Sequence, residues 1–289
     1  MYTLVKTPIV YYGGKTSILN HLLQMTPEHE VYTETFFGGG TLFWAKTPAK
    51  NETINDKLDI VINFYKTLKL NFSPLKRLID ATLISRSIHQ EALAVIKAHK
   101  IHGSKGYRAQ VQLAWAFWVC TNFAYSNKIG AGYKYSNHQT VSVPATLKKR
   151  KEDFTELLVA RIAGAYIEND DAIRILKSRN VEKAFHYVDP PYPNADQGHY
   201  RGYGWDQYEA LLIFLATECT GKFLLSSYNS EMLDGYTKIY EWKKKEITHK
   251  LSGSAALNSR KGKNSKGIHT KTEVLISNFE NTCGTLSLF

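Results

Sequence analysis

Cysteine is scarce: Cys120, Cys219 and Cys283 are the only three in 289 residues, and they form no Cys-x-x-Cys pair. A disulfide scaffold or a zinc cluster needs paired spacing, so neither is expected, and the composition fits a reducing cytoplasm. Also missing is any run of about eighteen apolar residues, the length that crosses a bilayer, so no membrane span is expected. The stretch from Met1 to Lys15 carries an early Lys6 but no apolar segment ending at a small-residue cleavage site, and it reads as mature sequence. The histidines show no His-Glu-x-x-His or His-x-x-x-His spacing, so no metal is expected, and His186 and His199 read as packing or substrate-loop residues. Acids are outnumbered: 26 Asp and Glu face 37 Lys and Arg, a formal charge of +11.

That imbalance suits a polyanionic partner, because each phosphate contacted releases counterions. It is also uneven. Between Trp242 and Lys271 there are nine basic residues and one acid, Glu246. Charge by itself does not separate DNA from RNA or acidic lipid, and a generally basic soluble protein would look the same. With 43% hydrophobic and 22% charged residues, the chain is long and apolar enough to bury a sizeable core.

Periodicity places a helix over Thr16 to about Met25, a strand over Glu30 to Phe36, and a glycine run at Gly38-Gly39-Gly40. A helix from Thr41, a strand over Glu52 to Ile54 and a helix over Asp59 to Leu70 follow. Strand, glycine turn, helix, strand and acid in that order open a nucleotide-binding α/β unit. Residues 71–157 break the rhythm, with helical patterns over Leu75 to Ala98 and Gln110 to Phe123, then a polar, aromatic stretch from Asn122 to Asn137. Afterwards strands are predicted at Ala165 to Glu168, Ala184 to Val188, Lys222 to Ser227, Glu241 to Ile247 and Glu273 to Asn278. Helices are predicted at Asp170 to Lys177 and Asp206 to Cys219. The pattern is an α/β core formed by residues 1–70 and 158–289, with 71–157 as an inserted module.

Asp189-Pro190-Pro191-Tyr192 follows the apolar strand ending at Val188. Two prolines cannot continue a strand, so they stiffen a loop at its C-terminal edge, where open α/β sheets bind ligands. One carboxylate, carbonyls unclaimed by local amides and one aromatic ring suit a planar, amine-bearing base: Asp189 and a proline carbonyl, of Pro190 or Pro191, accept from the amine and Tyr192 stacks on the ring. A rigid turn with a solvent-facing Asp is the competing interpretation. Gly14-Lys15-Thr16 imitates the end of a phosphate-binding loop, but the first glycine would fall at Ile9. Gly38-x-Gly40-x-x-Phe43 lacks the third glycine of the dinucleotide fingerprint.

Three motifs stand in one order: Tyr11-Tyr12-Gly13-Gly14-Lys15, then Phe36-Phe37-Gly38-Gly39-Gly40, then Asp189 to Tyr192. In that order the chain resembles the Dam-like DNA adenine N6-methyltransferases of bacteria and their phages, and Lys271 to Ile276 looks like the family's closing strand. The resemblance spans most of the α/β core and little of residues 71–157. It implies a Rossmann-like class I methyltransferase sheet flanked by helices, with an inserted, mainly helical target-recognition module. It also implies S-adenosylmethionine as methyl donor, no metal, and double-stranded DNA with the target adenine flipped out of the helix. Tyr11, Lys15, Phe36, Gly38 and Gly40 would line the cofactor pocket. Asp56, at a strand end, would take the ribose hydroxyls or merely cap a helix. Asp171, with Asp170 as the alternative, would lie near the cofactor's adenine or be a helix cap. Thr35 stands where the family usually has proline.

DNA contacts are expected from Tyr125, Asn127, Lys128, Tyr133 and Lys134, although a solvated glycine-rich loop would look similar. Arg260 and Lys261, in the loop Leu251 to Gly267, are expected on phosphates. N4-cytosine methylation uses an equally planar amine and is the second reading. A catalytically dead DNA-binding relative is the third, but it would be expected to carry damage in the Asp189 loop or the glycine turn. No residue pattern speaks to a partner restriction endonuclease.

Overall fold

The computed structural model describes residues 5–135, 142–193, 202–250 and 270–280. In chain order these residues form α1 (Leu19–Gln24), β1 (Val31–Glu34), α2 (Thr41–Ala45), β2 (Asn51–Asn55), α3 (Asp59–Leu70), α4 (Phe72–Ala81), α5 (Arg86–His102) and α6 (Tyr107–Phe123). They continue with α7 (Val143–Glu152), α8 (Glu156–Ile162), β3 (Tyr166–Glu168), α9 (Ala172–Ser178), β4 (Ala184–Val188) and α10 (Trp205–Thr217). The last elements are β5 (Lys222–Ser227), α11 (Glu231–Ile239), β6 (Lys243–Lys250) and β7 (Thr270–Ser277). The strands make one seven-stranded sheet in the order β3-β2-β1-β4-β5-β7-β6. This is the expected α/β class.

By contacts the chain divides into two compact units, one of Met1–Gly14, Gly38–Ala45 and Leu58–Asn169, the other of Lys15–Phe37, Lys46–Lys57 and Asp170–Phe289. In the second unit β2, β1, β4 and β5 are parallel, while β7 runs antiparallel to both β5 and β6. Parallel neighbours need a crossover, and α10 supplies the one from β4 to β5. β4 reads Ala-Phe-His-Tyr-Val and is buried throughout, as a parallel strand covered on both faces should be. One face of β4, β5 and β7 gives Val188, Phe223, Leu225, Val274 and Ile276 to a core completed by Tyr208, Leu211, Leu212 and Leu215 of α10, Leu233 of α11 and Trp242. Strand order reverses between β1 and β4, so the ends of both strands open on one edge at the switch point, where ligands bind in such sheets.

The first unit is organised by α6. Its run from Leu113 to Phe123 is buried without interruption, and a helix apolar all round belongs in a core. It packs against α3, α4 and α5. Trp115 donates its ring N–H to Thr82 at 2.8 Å, and the Arg161 guanidinium lies 3.6 Å over the Phe43 ring.

The sequence placed α3, β4 and β5 to the residue, and most other elements to within a few. Three differences have local causes. The pattern from Leu75 to Ala98 is two helices, α4 and α5, because Ser85 caps a new helix by accepting from the Ile88 amide at 3.2 Å. The strand expected from Glu241 begins at Lys243, because Glu241 turns the chain with φ at +53°. Helices α7, α8 and α11 were not foreseen, although Ser142 and Ser230 cap α7 and α11 in the same way as Ser85 caps α5.

Leu225 is fully buried on the middle strand of this core. Leu225→Ala is expected to lower stability by about 2–5 kcal/mol through lost burial and a residual cavity, measured by urea denaturation.

Candidate active site

The loop after β4 presents Asp189 toward a lysine from the start of the second unit. Lys15 Nζ lies 2.8 Å from Asp189 Oδ2 and 3.9 Å from Glu273 Oε2, and its side chain is almost wholly buried. The Tyr192 hydroxyl donates to Asp189 Oδ1 at 2.9 Å, so each carboxylate oxygen has a donor. Pro190 is buried and Pro191 half-buried, which holds the loop stiff behind the carboxylate.

Glu273 comes from β7 and Tyr228 from the end of β5. The Tyr192 and Tyr228 rings meet edge to face with centroids 4.4 Å apart. Lys271 lies 4.4 Å over the Tyr228 ring and 3.4 Å from Glu273 Oε1. Two ammonium groups thus alternate with two carboxylates beside a pair of aromatic rings.

Burial opposes the charge on Lys15, but Asp189 and then Glu273 outweigh it and hold the ammonium above its ordinary value. Asp189 moves upward, because burial, aided by the nearby Glu273, exceeds the pull of Lys15 and Tyr192. Burial pushes the Tyr192 phenol well above its usual range, with the Asp189 charge adding to it, so Tyr192 stays a neutral donor. Burial lowers Lys271 against the attraction of Glu273.

On the same sheet edge, the exit of β1 carries Phe36, which packs edge-on against Tyr203 at 5.8 Å. The Thr35 carbonyl accepts from Asn55 Nδ2 at 3.0 Å, a bond available whether Thr or Pro occupies position 35. Asp56 follows β2 and is fully buried. Its neighbour Asn55 also pairs doubly with the Asp170 backbone, at 2.9 and 3.1 Å, which fixes the segment carrying Asp171. Asp171 itself is exposed and caps α9 by accepting from the Ile173 and Arg174 amides at 3.0 and 3.2 Å. Asp170 pairs with Arg174 at 3.0 Å.

In the first unit, the glycine turn is built around Tyr11. Gly38 has φ at +47° and Gly40 at +60°, which favour glycine. A Cβ on Gly38 would lie 2.7 and 2.8 Å from Cδ1 and Cε1 of the Tyr11 ring. Tyr65 donates to the Gly38 carbonyl at 2.8 Å and Thr7 to that of Gly39 at 2.6 Å. Among the residues expected on DNA, Tyr125 and Asn127 sit in a tight turn closed by the bridge from Ala124 to Tyr133. Tyr133 is flanked by His89 and by Arg86, the latter at 5.5 Å over its ring. Lys134 donates to Asn127 Oδ1 at 3.1 Å, and Lys128 lies over the Tyr12 ring at 5.3 Å. Arg260 and Lys261 lie outside the described residues.

His186 is buried in β4, and burial lowers it to about 4, so it is a neutral packing residue, as one of the two expectations had it. Among the described residues no group of three or more His, Cys, Asp or Glu could hold a metal ion, and no helix is long and apolar enough to cross a membrane.

Residues 11–252 match the family described as D12 class N6 adenine-specific DNA methyltransferase. The chain belongs to that family. The match contains all three sequence motifs and the loop that carries Asp189. The methyltransferase is also 26% identical over 286 residues to the type II methyltransferase M1.LlaDCHI of Lactococcus lactis subsp. cremoris, covering 93% of this chain and 94% of the relative. Membership makes adenine N6 of DNA the acceptor and implies S-adenosylmethionine as the methyl donor.

Sequence reasoning missed Asn55, Tyr228 and the role of Glu273. A glutamate directly before the apolar run Val274-Leu275-Ile276 of a closing strand was the available signal for the last. The polar Ser-Ser-Tyr-Asn run at the exit of β5 was the signal for Tyr228.

Gly38→Ala is expected to destabilise the methyltransferase by about 1–3 kcal/mol, since it combines a left-handed backbone with overlap on Tyr11. Thermal unfolding measures it; an unchanged melting temperature would show that the turn relaxes freely.

Proposed function

We propose that the methyltransferase acts on an adenine flipped out of double-stranded DNA, with Asp189 and Tyr192 receiving the base. The observation that carries this is the partly buried loop itself: a carboxylate and a phenol ring held together at 2.9 Å at the end of β4. The adenine amine is paired inside a duplex, so it must leave the stack before any side chain reaches it. Tyr192 then offers a ring face in place of the lost stacking, worth about 1–3 kcal/mol by analogy with single-strand platforms. Asp189 accepts a hydrogen bond from N6, fixes its direction and, by polarising the N–H bond, raises the electron density on the nitrogen that takes the methyl group. Positioning supplies most of the catalysis, because a sulfonium is already a good leaving group.

The chemistry of the donor set fits S-adenosylmethionine. A cationic sulfonium and ribose hydroxyls call for carboxylates and aromatic faces, and the edge with Phe36, the buried Asp56 and the pinned 170–171 segment offers both. Within the second unit Asp56 would hold the ribose and Phe36 the apolar body; for Tyr11, Gly38 and Gly40 of the first unit, a role toward the methionine part rests on the family resemblance alone. Asp171 is occupied as a helix cap, and its remaining lone pairs would face the adenine ring. When bound, the donor supplies an electrophilic methyl.

Residues 71–157 are proposed as the target-recognition module. The turn around Tyr125, Asn127 and Lys128 would face DNA, while Tyr133 and Lys134 hold that turn in shape. Arg260 and Lys261 are proposed on phosphates, so salt should weaken binding steeply. No metal has a role in this scheme.

Incubation with unmethylated genomic DNA and S-adenosylmethionine, followed by nucleoside mass spectrometry, tests the reading. N6-methyladenine that disappears with Asp189→Ala is the expected result. Methyladenine that persists in the variant would remove Asp189 from the reaction, and N4-methylcytosine would mean the base was misassigned.

The pH profile adds an independent check. Asp189 must be ionised to accept from N6, and its folded value is raised above the usual 3.8. Activity should therefore fall, as pH drops, at a higher pH than an ordinary aspartate would give. Lys15→Gln removes the largest opposing pull and should move the acid limb of kcat/KM higher still. A limb that does not move would show that another group controls it.

A further inference from the structure

We propose that Glu273 is a positioning residue, which takes over the Lys15 ammonium when Asp189 engages the amine of the target base. The inference rests on Asp189 as the acceptor of N6. In the structure both Asp189 oxygens already have donors, Lys15 at 2.8 Å and Tyr192 at 2.9 Å. An aspartate locked to a lysine is largely neutralised, and a neutralised carboxylate polarises the N–H bond of an amine only weakly, so it adds little electron density to the nitrogen. Something must hold Lys15 while Asp189 turns to the base.

Glu273 is placed to do so. Its Oε2 is 3.9 Å from Lys15 Nζ, about an ångström beyond an ion-pair hydrogen bond. That oxygen is buried and has no hydrogen-bond partner among the described residues, while Oε1 faces Lys271 at 3.4 Å. Leaving a buried acceptor unmade is unfavourable, so the vacant oxygen is a standing attraction for the lysine. A small swing of the Lys15 side chain exchanges one carboxylate for the other without exposing the charge. Lys271 keeps the second oxygen neutralised throughout, and its hold on the Tyr228 ring fixes that end of the group. No bond to a heavy atom forms or breaks in this exchange. The ammonium simply has two seats, and the base decides which is used.

The alternative is that Glu273 only neutralises a buried lysine. The two roles separate kinetically, because a residue acting at the reacting stage lowers kcat without altering binding of either substrate. Wild type, Glu273→Gln and Glu273→Asp would be compared on unmethylated DNA. The measurements are kcat, KM for DNA, calorimetric Kd for S-adenosylmethionine, and Tm. Glu273→Gln should lose about 10²-fold in kcat, the scale of a misplaced reacting group, with KM and Kd unchanged. Glu273→Asp keeps the charge on a shorter arm and should recover part of that loss. Equal kcat in wild type and Glu273→Gln overturns the inference, as does a kcat loss matched by lost affinity for S-adenosylmethionine. If Glu273→Gln does not fold, Glu273→Asp decides: reduced kcat at unchanged KM supports the inference, and wild-type kcat overturns it. Wild type that leaves no methyladenine overturns the site assignment along with it, whereas an active wild type with an equally fast glutamine variant overturns this inference alone.

Discussion

The buried ammonium of Lys15 lets two carboxylates share one edge of the sheet. Asp189 and Glu273 arrive from different strands and would repel each other in a place that water barely reaches. With Lys15 between them, at 2.8 and 3.9 Å, and Lys271 on the other oxygen of Glu273, two ammonium groups balance two carboxylates, and the proline-stiffened loop has something to lean on. The same contact ties the lysine of the first motif to the Asp189 loop of the third. Every other member of the group, from the Tyr192 hydroxyl to Lys271 on the Tyr228 ring, is arranged about that pair.

The sheet makes the meeting possible. Parallel β1, β4 and β5 end on one edge, and antiparallel β7 begins beside the end of β5, since Ser227 pairs with Val274. An acid near the start of β7 therefore reaches the residues that leave β4 and β5. The close-packed face of Val188, Phe223, Leu225 and Ile276 fixes these ends, so the site inherits its precision from a rigid core. The helical unit has its own logic. A helix apolar on every side must be surrounded, and α6 gathers α3, α4 and α5 around it.

Membership of the D12 class gives this geometry its meaning, and the geometry adds detail that motif order does not carry. Asp171 is engaged in capping α9, and Asn55 is what holds its segment in place. Tyr133 and Lys134 support a turn through contacts with Arg86 and Asn127. In both cases residue types suited to ligand contact are already making contacts with the protein itself.

The sequence by itself determined the α/β class, the positions of α3, β4 and β5, and the stiff Asp189 loop at a strand exit. Those features depend on periodicity, on proline's fixed φ and on the glycine φ angles, all of which act over a few residues. It was blind to α7 and α11, whose serine caps are short signals set in polar stretches, and it ran α4 and α5 together for the same reason. Only the tertiary structure decided that Lys15, Asp189, Tyr192, Tyr228, Lys271 and Glu273 form one group. Their partnership depends on strand order and on the antiparallel register of β7 against β5. Such pairing is a property of the assembled sheet, and no local pattern in the chain encodes which distant strand ends will face one another.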